Sequence, residues 1–218
     1  MSVTALLLMS LPLSQSAISD ITRAEQERLN ACIERTVTNP TEAYEDSLAW
    51  LSSGNRPKAR YCNAIALLAL EEFEEGAARL EALATAPDAI SISDRALYMT
   101  QAGNAWLTAG YPDAAITSLS EAIKISPRDP STRKDRAAAY LMVERWFEAV
   151  DDLNMSLELV PTDGEALSLR ARAHLATENL PAAKADMEEA LVYDPTNLDI
   201  LVLRGEIREA IRLSRLGR

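Results

Sequence analysis

The chain has 218 residues, with 22 Lys plus Arg against 33 Asp plus Glu, for a formal net charge of -11; that field repels phosphate backbones and argues against nucleic-acid binding. A single His and two Cys fall short of the roughly four ligands a structural zinc site needs, and any His-based triad would have to use that one His, so no metal, no cofactor and no catalytic activity are expected. Hydrophobic residues at 48% and charged residues at 25% are the composition of a folded chain rather than a disordered one.

Residues 1–17 stand apart from the rest. Residues 5–13 are nearly all apolar, carried by Leu6, Leu7 and Leu8, and are followed by Ser14, Gln15, Ser16 and Ala17. This reads as an export signal cleaved after Ser16 or Ala17, although no Lys or Arg precedes the apolar run and Pro12 interrupts it. The run is too short to span a bilayer, so no stable membrane insertion is expected. An apolar arm on a cytoplasmic protein is the alternative.

Downstream, the chain repeats. Ala43 and Ala77 lie 34 residues apart, preceded by Pro40 and Phe73, and mark two divergent units over 18–95. Pro87 and Asp88 break the pattern, and the 38 residues from Ala77 to Ala115 place four extra residues near 85–93. Over 96–197 the repetition sharpens into three units. Pro127, Pro161 and Pro195 recur at 34 residues, as do Ala115, Ala149 and Ala183, and Gly103, Ala137 and Ala171. Trp106, Tyr140 and His174 follow the last set at the same offset, and Leu119, Leu153 and Met187 follow the alanines. Small residues at fixed offsets let two helices approach almost backbone to backbone; the prolines stop the second helix of each unit. From Leu198 one more helical pattern begins, with Leu201, Val202 and Gly205 in first-helix spacing and Arg204, Arg208, Arg212 and Arg215 along one face.

This constellation resembles the tetratricopeptide-repeat family, whose unit is a helix, a turn and a second helix. The resemblance implies an all-α fold: a right-handed tetratricopeptide-repeat superhelix, or α-solenoid, of five helix-turn-helix units plus a capping helix over 198–218. In that cap Leu198, Leu201 and Val202 are expected to cover the apolar edge of the Ala183 helix pair. The resemblance also places Cys32 and Cys62 on neighbouring first helices, facing the inner surface, where a disulfide becomes geometrically possible; two buried free thiols are the alternative. His174 takes the slot of a packed aromatic ring. Glu71, Glu72, Glu74 and Glu75 surround a turn and lack the ligand spacing of a calcium loop.

The family's inner, concave surface binds extended peptides. By alignment it is lined here by Asn63 in unit two, Thr100, Gln101 and Asn104 in unit three, Lys134 and Asp135 in unit four, and Ser168 and Arg172 in unit five. An Asn amide offers a peptide backbone both a donor and an acceptor, and Lys134 and Arg172 offer positive charge. Thr100, Asp135, Glu165 and Leu169 stand where members that clamp chaperone tails carry Lys, Asn and basic residues, so that ligand is not expected. The implied role is a non-catalytic scaffold for another protein or an extended peptide, in the periplasm or an equivalent oxidising compartment. The alternative is a cytoplasmic adaptor or regulatory subunit of an enzyme complex using the same groove.

Overall fold

The computed structural model describes residues 15–88 and 91–217; the apolar run of the expected export signal lies outside them. Eleven helices and no strand occur among the described residues. They are α1 (Gln15–Thr38), α2 (Pro40–Ser53), α3 (Pro57–Ala69), α4 (Phe73–Thr85), α5 (Ile92–Thr108), α6 (Pro112–Ile125), α7 (Pro130–Met142), α8 (Trp146–Leu159), α9 (Gly164–Ala176), α10 (Leu180–Tyr193) and α11 (Leu198–Leu216). Odd and even helices pair, each even helix also packs on the next odd one, and α11 closes the stack against α10 and α9. This is an all-α tetratricopeptide-type superhelix of five helix pairs and a sixth, solitary helix.

Local sequence sets the boundaries. Pro40, Pro57, Pro112 and Pro130 open α2, α3, α6 and α7, where the missing N–H costs nothing. Asn39, Asp129, Asp163 and Asn197 accept hydrogen bonds from the first-turn amides of α2, α7, α9 and α11, and Ser91 with Asp94 forms a reciprocal capping box at α5. The turns inside the later four pairs need one left-handed residue each. Gly110 supplies it in the third pair (φ 82°), but Glu71, Glu144 and Glu178 do so in the others at φ 65°, 60° and 58°. The acidic run at 71–75 therefore begins at a helix-to-helix turn.

The hydrogen bonds of those turns fix the repeat register. The Ala115 N–H bonds the Tyr111 carbonyl, and Ala149 and Ala183 do the same to Arg145 and Asn179; in unit two it is Gly76, not Ala77, whose N–H makes the equivalent bond, to Glu72. The alignment on Ala77 is thus one residue late, because five extra residues, rather than four, separate units two and three. They enter as the linker and the added first turn of α5, which starts at Ile92. Gly76 suits the site: an added Cβ would lie 2.3 Å from Leu68.

Close approach is the organising feature of the core. Ala43, Ala115, Ala137, Ala149, Ala171 and Ala183 are wholly or almost wholly buried, as are Leu80, Leu119 and Leu153. A Cβ on Gly103 would come within 2.4 Å of Leu119. A polar ladder runs beside this apolar one. Arg136 bonds Asp152, and Arg170 bonds Asp186, both across 16 residues from a first helix to its own second helix. Each Arg also reaches back to the preceding pair, Arg136 to Ser120 and Arg170 to Asn154.

The two ends differ from expectation in instructive ways. Of the α1 side chains described, only Leu29 and Cys32 are buried, and Cys32 is disulfide-bonded to Cys62 of α3 with a Cα–Cα distance of 6.0 Å. At the other end, α11 covers the stack with Ile200, Leu203 and Ile207, while Leu198 and Val202 point outward. The expectation for Leu198 and Val202 is corrected by rotation: they lie on the side of α11 away from the preceding pair. No helix among the described residues is long and apolar enough to cross a membrane.

Candidate functional site

The first helices α1, α3, α5, α7 and α9 line the inner face. Near its N-terminal end, Ile21, Leu29, Tyr61, Leu97 and Tyr98 surround a cleft of about 500 Å³, with Glu25, Lys58 and Asp94 on its rim. Tyr61 and Tyr98 stack with ring centroids 4.6 Å apart. Gln101 donates from Nε2 to the Tyr61 hydroxyl at 3.0 Å, while its own Oε1 is buried with no hydrogen-bond partner among the described residues. Burial pushes the Tyr98 hydroxyl up to about 12, with the Asp94 charge adding to it; burial raises Tyr61 likewise. The cleft floor is therefore aromatic and uncharged.

Tyr61 was hidden from the sequence alignment by the one-residue register error. The same error explains Asn63, which does not line the groove. It is fully buried, donates to Ser47 Oγ at 2.9 Å and accepts from Arg79 at 2.9 Å. Its place is a rung of the polar ladder, equivalent to Arg136 and Arg170. Pro57 opening α3 as Pro130 opens α7 is the sequence signal that gives the correct register.

Farther along the face, Thr100 shares a hydrogen bond with Thr132 across 2.9 Å. Exposed Asn104 of α5 donates to Asp135 of α7 at 2.9 Å, and burial holds the Asp135 carboxyl above its ordinary range despite that bond. Lys134 is not a free cation: its Nζ lies 3.0 Å from Asp163 and 2.6 Å from Glu165. Burial opposes its charge, but the hydrogen bonds it donates to these two carboxylates raise its pKa overall. Ser168 is buried. Arg172 is exposed and has no ion pair among the described residues. Thus the structure brings Asn104 and Asp135 together, spends the Lys134 charge internally, and leaves Arg172 as an available cation.

His174 is half-buried, and its Nε2 lies 3.8 Å from Asp186, whose two oxygens are held by Arg170. Burial lowers its pKa, so at neutral pH it is an uncharged ring packed in a helix pair. No group of three or more His, Cys, Asp or Glu side chains able to hold a metal occurs among the described residues. Among the described residues, the inner face offers an apolar seat, backbone-compatible amides and the guanidinium of Arg172.

No family model and no curated protein matches the sequence. Among solved structures, the first TPR domain of human RPAP3 is similar over 56% of this chain and 97% of its own length, at 27% identity and a TM-score of 0.54. The first TPR of Spaghetti (RPAP3), bound to the HSP90 peptide SRMEEVD, is similar over 55% of this chain and 95% of its own, at 28% identity and a TM-score of 0.53. YrrB, a TPR protein with an unusual peptide-binding site, shares the fold over 84% of this chain and 97% of its own, at 16% identity and a TM-score of 0.68. The repeat register, the stacked helix pairs and these likenesses agree: the chain has the tetratricopeptide-repeat fold and is similar to proteins of that family.

Proposed function

We propose that this chain is a non-catalytic scaffold that holds an extended segment of another protein along its inner face. The observation that carries this reading is the alignment of three complementary features on successive first helices: the Tyr61–Tyr98 cleft, the Asn104–Asp135 pair and Arg172. An extended peptide lying across them would seat an apolar side chain over the two rings, exchange backbone hydrogen bonds with Asn104, and place an acidic side chain against Arg172. Gln101 and Thr100 border the same path. Lys134 orders α7 against α9 through Asp163 and Glu165 rather than meeting the ligand. The HSP90 peptide bound to the Spaghetti domain and the peptide-binding site of YrrB support a peptide as the ligand class. Thr100, Asp135 and Glu165 argue that the ligand is not a chaperone tail.

The same proposal places the protein in the periplasm or an equivalent oxidising compartment. The apolar segment at 5–13 with its small polar flank supports export, and the Cys32–Cys62 bridge suits a compartment that keeps thiols oxidised. Mass spectrometry of the protein from its native host should find a start near Ala17 or Ile18; an intact Met1 on a cytoplasmic form would refute export.

A displayed library of extended peptides, selected on the intact chain, tests the groove. The double variant Asn104→Ala, Arg172→Ala should lose at least about tenfold in affinity for the selected peptides, or about 1.4 kcal/mol, with unchanged melting because both side chains are exposed. Equal binding by the variant would remove the groove as the site.

A further inference from the structure

Helix α11 leaves open a seat that is filled on the other first helices of the well-matched repeats. Gly103 lies beneath Leu119 of α6, and Ala137 and Ala171 are wholly buried at the same repeat position. Gly205 follows Ala171 by 34 residues and occupies that position on α11, yet a Cβ added there would meet nothing within 4 Å. Glycine inside a helix is destabilising relative to alanine, and here no close approach offsets it. On the face of α11 that carries Gly205, three apolar side chains turn to solvent beside exposed Glu209: Leu198 is 76% exposed, Val202 60% and Leu216 70%.

Charge distinguishes this seat from the others. Where earlier units carry Trp106, Tyr140 and His174, α11 has Arg208. Arg208, Arg212 and Arg215 surround a hollow shared with Lys184 of α10 and with Leu216. Arg212 is paired with Glu209, but Arg208 and Arg215 have no ion pair among the described residues. In a chain of net charge -11, this is a cationic strip with an apolar edge.

We propose that this face of α11 is a docking surface for an acidic amphipathic helix supplied by a partner. The helix runs antiparallel to α11, as each second helix runs to its first, with a large apolar side chain over Gly205 and carboxylates against Arg208 and Arg215. The apolar edge and the open glycine specify a helix of second-helix character, and the unpaired guanidiniums specify its charge. The chain's own α8 has this character: Leu153 is the residue of its pair equivalent to Leu119, and Glu148, Asp151, Asp152 and Glu158 make it acidic.

A labelled synthetic peptide of residues 146–159 therefore serves as the probe, titrated against the intact chain by fluorescence anisotropy, with a scrambled peptide as control. Saturable binding that weakens with added salt and drops at least about tenfold in Gly205→Leu is the expected result. That variant has room for its side chain and gains helix propensity, so its melting temperature should hold or rise and unfolding cannot mimic the loss. Equal binding to Gly205→Leu, or none to the wild-type chain, overturns the proposal. A dimer that sediments in the wild-type chain and vanishes in Gly205→Leu would also overturn it, assigning the seat to a second copy.

Discussion

Arg136 grips Asp152 through two parallel hydrogen bonds, Nε to Oδ2 at 2.6 Å and Nη2 to Oδ1 at 2.8 Å, on a carboxylate that Arg133 also reaches at 3.1 Å. All three side chains are largely buried. Removing one member of such a cluster strands charge that has already lost its water. Asp152→Ala should destabilise the chain by about 3–5 kcal/mol, read from the midpoint of urea unfolding. Arg212→Ala, which breaks an exposed pair with Glu209, should leave that midpoint nearly unchanged, because solvent screens the pair. Similar effects for the two would show that the internal pair contributes no more than a surface one.

Tyr98 makes stability fall in alkali. Its hydroxyl holds its proton up to about 12, against an ordinary value of 10.0, because burial and then Asp94 disfavour the phenolate. Below the ordinary value both folded and unfolded chains are protonated, and the contribution of Tyr98 is fully present. As pH rises through the interval, the unfolded chain releases this proton and the folded chain does not, so stability is progressively lost. Tyr98→Phe should flatten the decline over that interval, measured by chemical unfolding at a series of pH values. An unchanged slope would place the alkaline sensitivity elsewhere.

The Cys32–Cys62 bridge closes a span of 30 residues, for which the chain-entropy account gives about 3–4 kcal/mol. Since α1 buries little besides Leu29 and Cys32 itself, reduction by a dithiol should loosen α1 first. Hydrogen exchange should accelerate across α1 while α7 to α10 keep their protection. The double variant Cys32→Ser, Cys62→Ser should behave as the reduced protein does. Full protection of α1 after reduction would show that Leu29 and the surface ion pairs of this helix suffice to hold it.

Gly103→Ala should destabilise even though it improves helix propensity. A methyl at that site meets Leu119 at 2.4 Å, and overpacking of this kind costs about 1–3 kcal/mol, against roughly 1 kcal/mol gained from propensity. A higher melting temperature would mean that Leu119 can change rotamer freely in its pocket.

Much of this fold was legible because its constraints are periodic. Gly103, Ala115 and Leu119 occupy sites where only small or only large side chains fit, and their recurrence at a fixed interval betrayed the helix pairs. The register of unit two was less legible, since Gly76 and Ala77 are both small and only the turn hydrogen bonds decide between them. That ambiguity moved Asn63 onto the groove and kept Tyr61 off it. The polar ladder did leave a signal, Arg136 and Asp152 recurring as Arg170 and Asp186. Its meaning is three-dimensional, because salt-bridge partners on different helices have no local spacing rule. The capture of Lys134 by Asp163 and Glu165 was likewise invisible: the carboxylates belong to the next unit, and nothing in sequence says which of several charges a flexible ammonium will choose.

Covalent attachment of α1 to α3 gives the solenoid a mechanical direction. A stack whose units touch only their neighbours comes apart from its ends, and tension applied to an ordinary array peels whichever terminal helix is weaker. Here a pull on the N-terminal side loads α1 as far as Cys32, then crosses the disulfide to Cys62 of α3, so that residues 33–61, the whole of α2 among them, carry no tension. A pull on the other end meets α11, held only by contacts such as those of Ile200, Leu203 and Ile207. Stretched between two anchors, the oxidised protein would peel at α11 and at α1 up to Cys32, while residues 33–61 stay a closed loop that force cannot extend, with α2 whole inside it.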